Sequence, residues 1–495
     1  MQKNFFGIDF GTTHSAAVRL IDDEAGERTV IYDENDYPIP SMLAIHKESG
    51  EILFGRKVRE RQRELSKEYE VFSSIKLILG EDIQWKIAGK IWTPELIAGQ
   101  LLRGIKEFVY QKDGLFIEEA VIAIPVDFTP TQRRVLKKAA SYAGIEVSKF
   151  ITEPTAAYFR NYNRVKGYSK VAVFDWGGGT LDISILENKN GKIYELAVAG
   201  DRQGGDDIDL AIADSIHNAL VRKTNIKIPF SEMADEHRDM LIYRAEEAKK
   251  ALSYIDSKSI PIIDYGAFGD HRYTLDIDNF TNIVRPMVDR ALAFFEETIQ
   301  KAGISLEQLG CILMVGGSSE LRPLLEQVML LWENKGVEII YPERGQWSVA
   351  EGAAMMAGND SGYRLNEDIG LILCDNSLYH LFKKDQKIPV EKSPINFALV
   401  EDSLDARFVF ADGNKKAKAH LTVPAKGFLN EYFNLKSRID NDLIATVEVK
   451  SDMMPENYKQ TVELRGLKFY YDIEGIKEVK TSGDIDDDLR FDLSI

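Results

Sequence analysis

Two short stretches of the chain place acidic, glycine and hydroxyl residues in the same order. The first is Phe5-Phe6-Gly7-Ile8-Asp9-Phe10-Gly11-Thr12-Thr13. The second is Val171-Ala172-Val173-Phe174-Asp175-Trp176-Gly177-Gly178-Gly179-Thr180. Each is an apolar run that reads as a buried strand, then Asp, a glycine turn and Thr. Glycines let backbone N–H groups approach an anion closely, and Thr hydroxyls add donors. A carboxylate among phosphate-binding amides suggests Mg²⁺, which binds through one or two carboxylates plus phosphates and water. Asp9 and Asp175 are therefore the metal candidates, with water between carboxylate and ion. Gly11, Thr12, Thr13, Gly177, Gly178, Gly179 and Thr180 are the phosphate candidates. Either stretch alone could be a strand ending in an Asp-Gly turn. Two facing each other would clamp a nucleoside triphosphate.

A third stretch has related logic. Cys311 to Val315 is apolar and runs into Gly316-Gly317-Ser318-Ser319, after which Leu321, Leu324, Leu325 and Val328 recur at helical spacing. Strand, Gly-Gly, helix brings backbone against a nucleoside or phosphate, although a tight strand-to-helix turn would read the same. To hold three such loops the chain needs sheets flanked by helices. The spacing predicts helices over 93–110, with Thr93 as N-cap and Pro94 in the first turn, and over 129–143, ended by Gly144. Alternating strands and helices predict a layered α/β fold. The repeated Asp-Gly-Thr design predicts two duplicated lobes around a central cleft. Residues 38–92 and 204–280 would form smaller outer subdomains, the second with a helix over about 234–255.

Near residue 359 the pattern changes. Runs at 395–400, 406–411, 419–424 and 443–449 have strand length and composition, separated by turns such as Asp412-Gly413-Asn414. The last part of the chain reads as all-β, with further strand-like runs at 461–464 and 467–471. The acidic run Gly483 to Asp488 reads as a solvated tail. A length of 495 residues is too great for one typical core, and 44% apolar content is ordinary for a globular protein. A formal charge of −17 argues against nucleic acid or an acidic membrane as the main partner. Two cysteines, Cys311 and Cys374, are too few for a disulfide framework and suit a reducing compartment. The first strand starts within a few residues of Met1, leaving no room for a signal peptide. No apolar run reaches the length of about 18 residues that a membrane helix needs. The expectation is a cytoplasmic protein.

The three loops in this order resemble the actin-like ATPases, and the segments between them resemble the seventy-kilodalton heat-shock (Hsp70) chaperone family. The carriers are Ala120 to Pro125 with Thr131-Gln132-Arg133-Arg134, Glu153-Pro154-Thr155-Ala156-Ala157-Tyr158, Gly204-Gly205-Asp206-Asp207-Ile208-Asp209, and Ala245 to Ser253. The likeness covers roughly residues 4–358 and thins towards about 450. It implies an ATPase domain over 1–365, an interdomain linker over 366–373 and a substrate-binding β-domain over 374–495. The family follows that domain with a helical lid, for which 451–495 is too short, so a lidless version is expected. Gly370 interrupts the linker's apolar run; a strand opening the next domain is an equally open reading.

The resemblance also assigns roles. Lys76, in Ser74-Ile75-Lys76-Leu77-Ile78, takes the family's catalytic lysine position, although by itself it could be one of 62 basic residues on a solvated surface. Glu153 takes the hinge carboxylate that helps hold the metal's water; a plain N-terminal helix carboxylate is the alternative. Asp182 is a second carboxylate for orienting the attacking water, or an ordinary strand position. With Asp175 and Thr180 these form the expected catalytic set. His14, Gly204, Gly205, Gly316, Gly317 and Ser318 join the nucleotide contacts, and Glu246, Lys249, Lys250 and Ser253 lie on the adenosine helix.

Four positions depart from the family. Lys250 and Glu320 stand where two arginines sandwich adenine, and neither reproduces guanidinium stacking. Arg322 is a candidate to substitute in space. Gln346 replaces an Asp, and Asp127 stands where the family has an aromatic. The expected function is an ATP-binding and ATP-hydrolysing chaperone. Its nucleotide state would control binding of extended peptides by the β-domain, with a co-chaperone and an exchange factor as possible partners. Phe397, Phe408 and Phe410 are candidates for a peptide groove or for β-core. The alternative is a weakly hydrolysing regulator or scaffold with one dedicated partner. A metabolite kinase or filament protein of the wider actin-like group is disfavoured by Lys76, the Glu153-Pro154 motif and the C-terminal β-region.

Overall fold

The computed structural model describes residues 3–23, 26–33, 37–126, 128–332, 335–358 and 362–473. Asp127, Asn359-Asp360-Ser361 and the acidic run at 483–488 lie outside them. The chain divides into two compact units, the first covering residues 1–186 and 196–359, the second 187–195 and 360–477.

Two sheets repeat one topology. In the first lobe the strands run in the order Glu146–Thr152, Glu119–Ile124, Lys3–Asp9, His14–Asp23, Gly26–Tyr32. In the second lobe the order is Glu338–Ile340, Cys311–Val315, Lys170–Trp176, Leu181–Lys189, Lys192–Asp201. In chain order each lobe reads fifth, fourth, first, second, third. The duplication expected from the two Asp-Gly-Thr stretches is thus a repeat of five strands in one order. The strand before each Asp is the central one and pairs in parallel with the fourth, Ile8 with Ile122 and Phe174 with Met314. Burial on both faces explains the unbroken apolar runs, since Ile8, Val173, Phe174 and Leu313 are fully buried.

The helices begin and end on the residues that stop signals require. Thr93 accepts the Leu96 N–H at the head of Pro94–Asp113, a turn longer than its sequence pattern. Thr129 and Gln132 form a reciprocal capping box at the head of Pro130–Tyr142, and Gly144 follows it at φ 69°. Two outer parts flank the lobes. One holds the small sheet of Leu43–His46, Ile52–Phe54 and Tyr69–Phe72; the other holds the helix Asp235–Leu252 and the hairpin Ser257–Ile262 with His271–Asp276. Among the described residues no helix is long and apolar enough to cross a membrane.

The second unit is all β apart from short turns. One sheet orders Leu378–Phe382, Ile369–Ile372, Asp405–Asp412, Ala417–Pro424; the other orders Val390–Ala398, Tyr432–Ile439, Ala445–Ser451, Gln460–Leu464. Both contribute to one core containing Leu371, Phe382, Phe410, Phe433, Leu435, Val447 and Val449. In a third pairing within this unit, Lys192–Tyr194 bonds to Tyr470–Asp472. The segment resembling a linker is here the strand Ile369–Ile372, paired on both sides. Gly370 is needed because a Cβ there would lie 2.3 Å from the Tyr379 carbonyl oxygen, at a shift of register. Phe408 and Phe410 are core residues, whereas Phe397 is half-buried and packs edge-on to Tyr379 at 5.3 Å.

Candidate functional site

The first unit holds a cleft of about 530 Å³ lined by loops from both lobes and both outer parts. Asp9 and Asp175 reach it from the ends of the two central strands. Each is fixed by its register, Asp9 beside Ala123 and Asp175 beside Val315. The two glycine loops touch. A Cβ on Gly178 would fall 2.1 Å from Thr13 Oγ1, and one on Gly179 would fall 2.6 Å from the Thr12 methyl. Only glycine permits that approach, and it leaves backbone amides and threonine hydroxyls facing one space.

A second layer holds the second loop from behind. Gly205 and Asp206 donate their N–H groups to the carbonyls of Gly177 and Gly178, at 3.0 and 2.7 Å. Ser318 Oγ donates to the Gly177 carbonyl at 2.9 Å. Gly204 does not line the cleft; a Cβ there would sit 2.3 Å from the Gly178 oxygen, so it acts as packing beneath the loop. Thr13 Oγ1 donates to Asp206 at 3.0 Å, and Lys249 bridges Asp209 and the Gly205 carbonyl, both at 2.9 Å.

Lys76 stands on the short turn Ile75–Ile78, and Glu153 opens the helix Glu153–Arg160. Both are buried, with Nζ 2.6 Å from Oε1. Burial works against the Lys76 charge, but Glu153 and Asp9 outweigh it and hold the ammonium above its ordinary pKa. The carboxylates feel the opposite balance. Burial and then the Glu153 charge push Asp9 up to about 7. Burial, Glu153, Asp182 and Asp9 push Asp175 well above the carboxylate range. Four acidic groups thus face one lysine, an excess of negative charge that a bound cation would relieve. Among the described residues no three such groups converge into a direct cage. Magnesium does not need one, since it keeps several waters and takes phosphate oxygens. His14 is pushed down to about 3 by burial and by Arg59, Lys250 and Lys249, which leaves it neutral.

At the other end of the cleft Glu246 binds Lys250 at 3.0 Å and pairs with Arg59 from the opposite outer part. Ser253, Gly316, Gly317, Glu320 and Gln346 line the same wall. Arg322 does not substitute for a stacking arginine. It lies away from the cleft lining, tied to Asp256 at 2.7 Å and Glu326 at 3.3 Å. Sequence reasoning singled out neither Tyr37, Asp206, Asp209, Tyr254 nor Arg344, all of which line the cleft. Asp206 and Asp209 stood in a quoted acidic turn; the other three carry no local signal. Of the residues expected to hold nucleotide, metal or water, all but Gly204 and Arg322 line this one cleft.

Two duplicated sheets, each ending an apolar strand in Asp and a glycine loop around a shared cleft, define an actin-like ATPase fold. A family model described as "Hsp70 protein" matches residues 5–377, and the chain belongs to the Hsp70 family of nucleotide-binding chaperones. Members of that family are ATPases that bind ATP or ADP with Mg²⁺.

Proposed function

We propose that this chain binds and hydrolyses ATP in the cleft, and that its nucleotide state controls peptide binding by the C-terminal β unit. The observation that carries the reading is the buried Lys76–Glu153 pair, 2.6 Å apart, beside Asp9 and Asp175 where the two glycine loops meet. Thr12, Thr180 and the amides of Gly178 and Gly179 hold phosphate oxygens; the Gly177 N–H closes the loop on the Thr180 carbonyl at 2.9 Å, and Thr13 turns its hydroxyl from Asp206 to join them. Asp9 and Asp175 hold Mg²⁺ through water, and the ion supplies charge neutralisation on the phosphates. Lys76, oriented by Glu153, presents its ammonium to the charge that builds up on the departing phosphoryl group. Asp182 and Glu153 orient water. Glu246, Lys249, Lys250 and Ser253, with Gly316, Gly317 and Ser318, take the nucleoside, and Gly204 and Gly205 support the phosphate loop.

In this reading residues 1–365 are the ATPase domain, 366–373 couple it to the rest, and 374–495 bind extended apolar peptide by backbone pairing. The partners are unfolded peptide segments, with a co-chaperone and an exchange factor, in the cytoplasm. Lys250 and Glu320 favour a second reading, a slowly hydrolysing scaffold for one dedicated protein, because neither stacks on adenine as a guanidinium does. ATP turnover with Mg²⁺, measured with and without a varied set of apolar peptides, separates the two. Turnover stimulated by peptide supports the first. Nucleotide binding with negligible turnover and no peptide response supports the second.

A further inference from the structure

The base end of the cleft presents two flat side chains that the phosphate chemistry does not use. Tyr254 follows the helix Asp235–Leu252 and lines the cleft wall. It is 79% exposed, and only its hydroxyl is engaged, donating to Glu320 Oε2 at 3.4 Å. Single exposed aromatics are common on protein surfaces. This one shares the cleft wall with Tyr37 and Lys250, whose Nζ lies 5.0 Å from the centre of the Tyr37 ring. From the loop before the helix Ser348–Ala357, Arg344 lines the same cleft. Its side chain is exposed and has no ion pair or hydrogen bond among the described residues. Its backbone sits at φ 55°, a left-handed conformation that costs energy in a non-glycine residue and persists only where the surroundings impose it.

We infer that the nucleobase is held by stacking on the Tyr254 ring and the Arg344 guanidinium, in place of the arginine positions that Lys250 and Glu320 now occupy. Both groups offer a flat face to a π-system, and a guanidinium also stacks as a cation. Stacking of this kind tolerates any base, because every base has a π-face. The ligand class is nucleoside triphosphates, with adenine not required. The inference rests on the nucleotide reading of the cleft and adds the residues that recognise the base.

The test is equilibrium binding to the full chain, with Mg²⁺, of two probes: ATP, and inorganic tripolyphosphate, which has no base. Tyr254→Ala should weaken ATP about tenfold or more, the range found for loss of one stacked base, and leave tripolyphosphate unchanged. Tyr254→Trp should restore ATP binding. Arg344→Lys keeps the charge and loses the plane; it should weaken ATP several-fold, roughly one cation–π contact, and spare tripolyphosphate. Equal ATP affinity in Tyr254→Ala and the parent overturns the inference, as does a parallel loss of both probes. A parent protein that binds tripolyphosphate as tightly as ATP keeps its phosphate clamp and has no base subsite. A parent that binds neither brings down the nucleotide reading itself.

Discussion

The two ends of one cleft follow different rules. At the end that the proposed function gives to phosphate, the groups on offer are mostly backbone amides, and at Gly178 and Gly179 any side chain would collide with Thr13 or Thr12. Such an end tolerates little change, because its geometry is the geometry of the main chain. At the base end the groups are side chains on separate elements: Glu246 and Lys250 on one helix, Tyr254 just past it, Glu320 on a short turn, Arg344 on a loop. These can be exchanged singly without disturbing the sheets. The departures at Lys250 and Glu320 fall at this end. Charge divides the ends as well. The phosphate end has four carboxylates pressing on one another around Lys76, whereas the base end is laced by ion pairs such as Arg59–Glu246.

The comparison breaks first if the phosphate end is not catalytic. Lys76→Ala should lower ATP turnover at least about a hundredfold while nucleotide binding is largely kept, since a charge donor aimed at the transition state contributes on that order. Turnover at the parent rate in this variant would make Lys76 a structural partner of Glu153 and nothing more.

The carboxylates give the next largest effect. Asp9→Asn or Asp175→Asn removes one of several acidic groups that repel each other in the cleft. At pH 8, where Asp9 with its pKa of about 7 is charged, Asp9→Asn should raise the melting temperature of the ligand-free protein. Both changes should cost the Mg²⁺-dependent part of ATP affinity, about tenfold or more, which corresponds to about 1.4 kcal/mol. Thermal unfolding and titration with and without Mg²⁺ measure both. Unchanged magnesium dependence in the two variants would take the ion away from these residues.

This contrast also explains what could be read from the sequence. The phosphate end was legible because its information is local: apolar run, Asp, glycines and Thr within ten residues, twice. Lys76 was not legible in that way. As a lone lysine it fits a surface, and only the family likeness put it in the site, where it is 7% exposed. At the base end Glu246, Lys249 and Ser253 were read as family matches and Lys250 and Glu320 as departures, while Tyr37, Tyr254 and Arg344 went unread because they lie far apart in sequence and reach one cleft only through the fold. In the β unit the strand Tyr432–Ile439 went unread. Its inward positions are Phe433, Leu435, Ser437 and Ile439, and the buried Ser437 with Lys436 and Arg438 beside it blurs the alternation. Leu443, expected to open a strand, sits at φ 60° in a turn where Asp440 accepts the N–H groups of Asp442 and Ile444.

His14 joins the two ends electrically. It is half-buried in the cleft wall, and its pKa of about 3 reflects desolvation first, then the charges of Arg59, Lys250 and Lys249. A base whose folded pKa lies below its unfolded value of 6.5 leaves the unfolded chain holding the extra proton at acid pH. Its contribution is complete above pH 6.5 and is lost progressively as pH falls towards 3. One proton costs about 1.4 kcal/mol per pH unit, so acidification from 6.5 to 5 should cost roughly 2 kcal/mol through this group. Urea midpoints of the parent and of His14→Gln, followed from pH 7.5 to 5, should diverge with the parent falling faster. Parallel curves would place the acid sensitivity elsewhere. Asp9 acts with the opposite sign, since its raised pKa favours the folded state as pH falls through about 7. The difference between the two proteins, rather than either curve alone, isolates the imidazole.

The smallest effect is the one that most sharpens the comparison. Lys250→Arg returns a guanidinium to the position where the family stacks adenine. If Tyr254 and Arg344 already hold the base, the new plane has little left to do, and ATP affinity should change by less than about twofold, under half a kcal/mol. In the Tyr254→Ala background the base has lost one face. There the same Lys250→Arg change should recover several-fold in affinity, roughly the 0.5–1 kcal/mol of an exposed cation–π contact. The non-additivity between the two sites is the quantity of interest, because contacts that serve one ligand face couple and distant ones add. A full gain from Lys250→Arg in the parent would show the base end to be unfilled, and Lys250 to be a weakened version of the family's contact. A gain only in the Tyr254→Ala background would show that the site was rebuilt from other elements while the backbone clamp at the far end stayed as it was.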